Sequence, residues 1–139
     1  MAIVLKLGGL GLAVLLDVSV SVYLLHTLAP LFNVELTWWH YLFVAPIVGV
    51  FPDFDVLFQF FSEKKIDDAH HSLLHIPPLI VLAVLLGGMM LFSPFWGTWV
   101  ATTLLIHYAH YSSMWDFGLK WLWPFNMNQY HFFGRKQIG

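Results

Sequence analysis

The sequence predicts an all-α integral membrane protein, a single helical bundle of about four transmembrane helices. The composition is the first reason: of 139 residues, 59% are hydrophobic and only 10% charged, whereas soluble domains carry roughly 25% charged residues. The second is that the apolar residues fall into four long segments joined by short polar connectors. The length suits one domain, so residues 1–139 are expected to form one membrane-embedded unit. Cysteines are absent and the net charge is −2, which excludes disulfides and thiolate metal sites and gives no basic surface for nucleic acid.

The four apolar segments differ in length and in the residues that interrupt them. Residues 7–29 form an N-terminal helix that exceeds the roughly 20 residues needed to cross a bilayer, and this apolar run is too long for a typical signal peptide. In residues 38–61 the apolar run meets Pro52, where we expect the helix to kink or stop. The third and fourth segments cover residues 73–92 and about 98–115. A short amphipathic C-terminal segment follows, in which Trp121, Trp123 and Phe125 are expected to lie on the membrane surface.

The basic residues predict the orientation in the membrane. With four spans, all of them lie on the face that carries both termini: Lys6, Lys64, Lys65, Lys120, Arg135 and Lys136. The positive-inside rule makes this face cytoplasmic. We therefore expect a multi-pass protein of the inner (cytoplasmic) membrane, with both termini in the cytoplasm.

Acidic and imidazole side chains cluster at the cytoplasmic end of the predicted bundle. The stretch "VGVFPDFDVLFQFF" places Asp53 and Asp55 in apolar surroundings, where an ionised carboxylate needs a partner. "AHHSLLHIPP" opens the third segment and "HYAHYSSMWDFG" closes the fourth, on the same face. The candidate partners are the histidines of these stretches, a metal held with them, or both: His70, His71, His75, His107 and His110, with Asp116 in the same cluster.

The histidine spacings fit metal ligation. His107 and His110 are three residues apart, and His71 and His75 are four apart, so each pair can share one helix face. Imidazole and carboxylate together suit a divalent metal such as zinc, manganese or iron. Such a metal acidifies a bound water and makes it a nucleophile near neutral pH. The sequence therefore predicts a metal site at this end of the bundle.

These features also have structural explanations. "PDFD" is also the pattern of a helix stop, where proline ends one helix and aspartate caps the next turn. His26 and His131 are expected to be interfacial and structural. Asp17 is the only deep acid in the predicted bundle. An acid within a membrane span indicates a functional site, and a hydrogen bond to Ser19 or Ser21 explains it equally well.

Together the motifs resemble those of the YdjM-type, DUF457-like inner-membrane proteins, a family of metal-dependent hydrolases. The resemblance covers residues 38–130, with "FPDFD", "HHSLLHIPP", "HYAHYSSMWDFG" and "GLKWLWPFNMNQY" in the family's order. It implies six metal ligands: Asp53, Asp55, His70, His75, His107 and His110. It also implies that Asp53 and Asp55 are catalytic, and His40 matches an early histidine of the family. Two positions depart from the pattern, since His71 replaces an arginine and Tyr111 replaces an aspartate.

The resemblance implies a membrane-bound hydrolase in which a metal-activated water cleaves a phosphoester, such as a lipid or lipid-linked phosphate. Membrane lipids are then its partners. Two alternatives remain open at this stage. Tyr111 favours a non-catalytic membrane scaffold with a structural metal site. A metal-coupled or proton-coupled transporter would need polar groups through the full membrane depth, whereas here they cluster at one end.

Overall fold

The computed structural model of the chain describes residues 2–54, 76–114, 118–126 and 128–130, apart from the side chains of residues 2–10 and 114. Within these residues the fold is all-helical and contains no strand, which confirms the all-α prediction. The α-helices of the described residues are α1 (Ala2–Leu28), the short α2 (Ala45–Val50), α3 (Pro77–Leu91) and α4 (Pro94–Met114).

A tight turn ends α1 and reverses the chain. A 3-10 turn, Ala29–Phe32, follows the helix directly, and Asn33 then adopts the left-handed conformation with φ of 55°. Asparagine tolerates this conformation better than most residues do. The amide of Val34 donates to the carbonyl of Ala29 at 3.0 Å, which closes the turn and directs the chain towards α2.

The second segment changes its helical pitch twice. It begins with a π-helical turn, His40–Val44, continues as α2 and ends in a 3-10 turn, Phe51–Asp53. Pro52 has no amide hydrogen to donate, so regular α-helical hydrogen bonding does not continue through it. Asp53 is therefore presented from a tight turn at the end of α2.

The helices α3 and α4 form a hairpin in which two glycines touch. Both helices begin with proline, as is common at the first helical position. A Cβ added to Gly88 would lie 2.6 Å from the Cα of Gly97, so the two backbones are in close contact. Only Phe92 and Ser93 connect the helices. The fourth segment therefore begins earlier than the predicted residue 98, because Pro94 and the aromatic residues after it already belong to α4.

Contacts between the helices fix their relative directions. Near the middle of α1, the Asp17 backbone touches Gly49 at the end of α2, while His26 of α1 contacts Tyr41 at the start of the second segment. The two segments are therefore antiparallel. α4 is also antiparallel to α1, since Trp99 Nε1 donates to the Ser21 carbonyl at 3.1 Å and a later α4 residue, His107, reaches Asp17.

Two apolar clusters fill the interior. The first joins α1, α2 and the start of α4, and consists of Leu25, Ala29, Ala45, Phe95 and Trp99. The second joins α4 to the C-terminal segment, and consists of Leu104, Tyr108, Tyr111 and Leu119. The C-terminal segment is held there because Trp121 Nε1 donates to Ser112 Oγ at 2.8 Å. His107 and His110 lie on the same stretch of α4 as the second cluster, between Leu104 and Tyr111.

Much of the outer surface is apolar. One stretch near the N-terminus, Gly11–Phe32, is long and apolar enough to cross a membrane. Helix α3 is apolar but has only 15 residues. Large apolar side chains are exposed on every long helix, and Phe125 in the C-terminal turn is 96% exposed.

Candidate metal site

Three side chains from separate parts of the chain converge inside the helical bundle. Asp17 comes from the middle of α1, Asp53 from the turn after α2, and His107 from α4. One potential ligand atom from each lies within 4.8 Å of the other two. These residues are therefore close enough to bind one metal ion.

Close packing of α1 against α2 brings the two carboxylates together. Gly49 lies four residues before Asp53, and a Cβ at this position would be 2.9 Å from the Asp17 carbonyl oxygen. Any larger residue would push the helices apart. The glycine thus sets the distance between Asp17 and Asp53 through the backbone.

The His107 imidazole lies between the two carboxylates. Its Nδ1 is 3.0 Å from Asp17 Oδ2, and its Nε2 is 3.6 Å from Asp53 Oδ1. Because an ionised carboxylate only accepts hydrogen bonds, Nδ1 carries the hydrogen and donates it to Asp17. Nε2 is buried and has no hydrogen-bond partner among the described residues. In the neutral imidazole this atom presents a lone pair towards Asp53.

A second imidazole binds the same aspartate. His110 Nδ1 donates to Asp17 Oδ1 at 3.2 Å. Its side chain is 12% exposed, whereas that of His107 is 3% exposed. His107 and His110 therefore use both oxygens of Asp17 from one face of α4.

The charged residues of the helical bundle favour the binding of a cation at this site. Among residues 11–54 and 76–113 the charged side chains are Asp17, Glu35 and Asp53, with no lysine or arginine. Asp17 is buried and Asp53 is half-buried. Two carboxylates withdrawn from water need positive charge nearby, and the described helices supply only imidazoles for it.

Three of the six predicted ligands lie in or beside the three-residue group. Asp53 and His107 lie in the three-residue group, and His110 lies beside it, bonded to Asp17. The other predicted ligands, Asp55, His70 and His75, fall outside the described residues, as do His71 and Asp116. The proximity of Asp17, Asp53 and His107 supports a metal-binding interpretation without identifying the metal.

Asp17 is the residue that the predicted ligand set lacked. Its position within an apolar helix was the available signal. The alternative hydrogen bond to a nearby serine does not form: Ser19 Oγ donates to the Leu15 carbonyl, and the Ser21 hydroxyl has no hydrogen-bond partner among the described residues. Packing of α4 against α1 gives Asp17 its partners instead.

Other histidines have structural contacts. His40 Nδ1 accepts from the Thr37 amide at 2.9 Å, so it stabilises the start of the second helical segment. His26 Nδ1 is 3.3 Å from the hydroxyl of Tyr41, which connects α1 to that segment. Neither belongs to the three-residue group.

The arrangement has the donor chemistry of a site for a divalent cation. Imidazole nitrogen and carboxylate oxygen are ligands that zinc, manganese and iron accept. Comparisons of the chain with protein-family models, with curated proteins and with solved structures found no match.

Proposed function

We propose that the protein is a membrane-bound metal-dependent hydrolase that cleaves a phosphoester, such as a lipid or lipid-linked phosphate. The observation that carries this proposal is the convergence of Asp17, Asp53 and His107 in an apolar bundle. The resemblance of "FPDFD" and "HYAHYSSMWDFG" to the YdjM-type motifs supports the same reaction class. In this proposal the four helical segments cross the inner membrane, and the site faces the cytoplasm.

The distance between His107 and Asp53 fits two ligands of one ion. Zinc bonds to imidazole nitrogen and carboxylate oxygen at about 2.0–2.2 Å, and tetrahedral geometry then separates two ligand atoms by about 3.4 Å. His107 Nε2 and Asp53 Oδ1 are 3.6 Å apart. Without an ion or a proton between them, His107 Nε2 and Asp53 Oδ1 would face each other inside the bundle, and two electron-rich atoms repel. Zinc is therefore our first choice, with manganese or iron as the other candidates.

The proposed reaction is hydrolysis at phosphorus. A bound divalent cation would activate a water molecule and neutralise negative charge on the phosphoryl oxygens. An aspartate that does not bind the ion would take the proton from the attacking water. The water oxygen bonds to phosphorus as the ester P–O bond breaks, and the leaving oxygen gains a proton.

The apolar exterior at the depth of the site supports a lipid substrate. Leu16, Phe51 and Ile106 are exposed, and each lies one or two residues from a member of the Asp17, Asp53 and His107 group. An extended exposed apolar surface indicates contact with a membrane or a partner. A substrate reaching this site from the side would therefore pass through apolar surroundings, as a lipid can.

A non-catalytic scaffold with a structural metal is the second candidate. The observation in its favour is Tyr111, which is buried and has its ring stacked beside His107 at a centroid distance of 6.3 Å. It occupies the position where the resembled family has an aspartate. A scaffold would bind the ion and gain stability from it without turning over any phosphoester.

Transport is less well supported. A coupled transporter needs polar groups along the whole path. On one side of the site, the bundle is filled by fully buried apolar side chains, those of Leu25, Phe95 and Trp99. Among the described residues, the polar cluster therefore does not continue through the bundle in that direction.

The test is elemental analysis of the detergent-purified protein, followed by a screen of phospholipids and lipid-linked phosphates in mixed micelles. We expect one or two equivalents of zinc, manganese or iron in the wild type and loss of this metal in His107→Ala. His26→Ala is the matched control, since His26 contacts Tyr41 outside the site. Phosphate release that requires the metal supports the hydrolase. Bound metal with no turnover of any of these lipids supports the scaffold, and a wild type that binds no metal contradicts both.

A further inference from the structure

We propose that Asp17 is a positioning residue, which orients two imidazoles and does not itself bind the ion. In this arrangement the ion is bound by His107 Nε2 and Asp53 Oδ1, and His110 lies outside its coordination. The inference rests on the metal site proposed above, but it can fail while that site stands. It assigns different roles to four neighbouring side chains that could all serve as ligands.

Both Asp17 oxygens already accept hydrogen bonds. Oδ2 accepts from His107 at 3.0 Å and Oδ1 accepts from His110 at 3.2 Å. A carboxylate that orients a metal-binding histidine commonly bonds the ring nitrogen that faces away from the metal. Asp17 has this relation to His107, and it makes the same contact with His110.

The lone pair of the His107 imidazole points away from Asp17. Because Nδ1 donates to Asp17, the ring nitrogen left to bind an ion is Nε2, on the opposite side of the imidazole. An ion at the roughly 2.0–2.1 Å bonding distance from Nε2 would lie on the Asp53 side of the ring. The Asp17 oxygen that contacts Nδ1 would then lie across the ring from the ion, beyond bonding distance.

His110 lies outside the group of potential ligand atoms. Its Nδ1 is used by Asp17, and it does not belong to the group of atoms that lie within 4.8 Å of one another. Asp17 thus bonds both to His107, which binds the ion, and to His110, which does not. Loss of His110 should leave the directly bound atoms unchanged.

The experiment measures coordination and affinity separately. Cobalt(II) is titrated into metal-free protein and followed by its visible absorption, and zinc-loaded samples are examined by X-ray absorption spectroscopy. We expect Asp17→Asn to keep the same number and kind of atoms around the ion while affinity falls by about 10–100-fold. His110→Gln should also keep the coordination, whereas His107→Ala and Asp53→Asn should lose the ion.

Glu35→Gln serves as the matched control for the removal of an acid, because Glu35 is exposed in the connector before the second helical segment. It should change neither affinity nor spectrum. Loss of an oxygen neighbour in Asp17→Asn, or of an imidazole in His110→Gln, would overturn the inference while leaving the metal site intact. If Asp17→Asn does not fold, His110→Gln still tests the inference, because loss of an imidazole neighbour in that variant would overturn it and unchanged coordination would support it. A wild type without metal would overturn both this inference and the proposed function.

Discussion

The indole of Trp99 joins two helices near the candidate site. Its side chain is fully buried, and its Nε1 donates to the Ser21 carbonyl on α1. Ser21 lies one helical turn from Asp17, so this contact helps hold α4 in register with α1. At the scale of single residues, hydrogen bonding and packing at one buried ring thus contribute to the placement of the site.

We expect Trp99→Phe to lower the free energy of unfolding by about 1–3 kcal/mol, because the variant loses a buried donor and part of a ring. Denaturant unfolding in detergent would measure it. Trp39→Phe is the control, since Trp39 is 53% exposed, and exposed substitutions usually change stability by about 0.5 kcal/mol or less. Equal losses in the two variants would contradict a specific role for Trp99.

At the scale of helices, two close backbone contacts have different consequences. Gly49 brings α2 against α1 beside Asp17, while Gly97 brings α4 against α3 beside Gly88. Both contacts leave no room for a side chain. Only the first contact directly sets the separation of two members of the metal-binding group.

Gly49→Ala should therefore weaken both stability and metal binding. A new Cβ would lie 2.9 Å from the Asp17 carbonyl oxygen, and such overpacking typically costs about 1–3 kcal/mol. The shift of α2 would also move Asp53 relative to His107. Thermal unfolding and cobalt(II) titration would measure the two effects.

Gly87→Ala is the control for this helix variant, because nothing lies within 4 Å of a Cβ at that position. It should be neutral or slightly stabilising, since alanine favours a helix more than glycine does. Gly97→Ala should reduce stability and leave the number of bound ions unchanged. A Gly49→Ala variant with normal cobalt affinity would contradict the proposed link between helix spacing and the site.

At the scale of the whole molecule, the four-span proposal predicts which connectors share a side of the membrane. The chain contains no cysteine, so single cysteines can be introduced without background labelling. In right-side-out vesicles, Glu35→Cys should react with an impermeant thiol reagent. Lys120→Cys should react with it only after the membrane is permeabilised. Labelling of both from the outside would contradict the proposed topology.

Metal binding should also stabilise the whole fold. An ion that binds only the folded state adds about 2.7 kcal/mol at a concentration 100 times its Kd. The melting temperature of metal-free wild type should therefore rise on addition of zinc, and that of His107→Ala should not. An equal rise in both proteins would place the stabilising ion outside the proposed site.

Local properties of the sequence were sufficient to predict an all-α fold and part of the site. Long apolar runs predicted the helices, and the prolines at 52, 77 and 94 lie where helical segments begin or change, because proline suits the first turn of a helix and disrupts its interior. The histidine spacing correctly placed His107 and His110 on one face of α4. Asp53 and His107 were predicted ligands, and the structure brings them together.

The tertiary structure alone decided the partners of Asp17. This residue is separated by 90 positions from His107 and by 93 from His110, and no local pattern connects residues so far apart. Their contact depends on the antiparallel packing of α1 and α4. The approach of Asp53 depends similarly on the close packing of α1 and α2 at Gly49. The sequence thus determined the helices and the candidate ligands, whereas helix packing determined that His107 and His110 contact the carboxylate of Asp17.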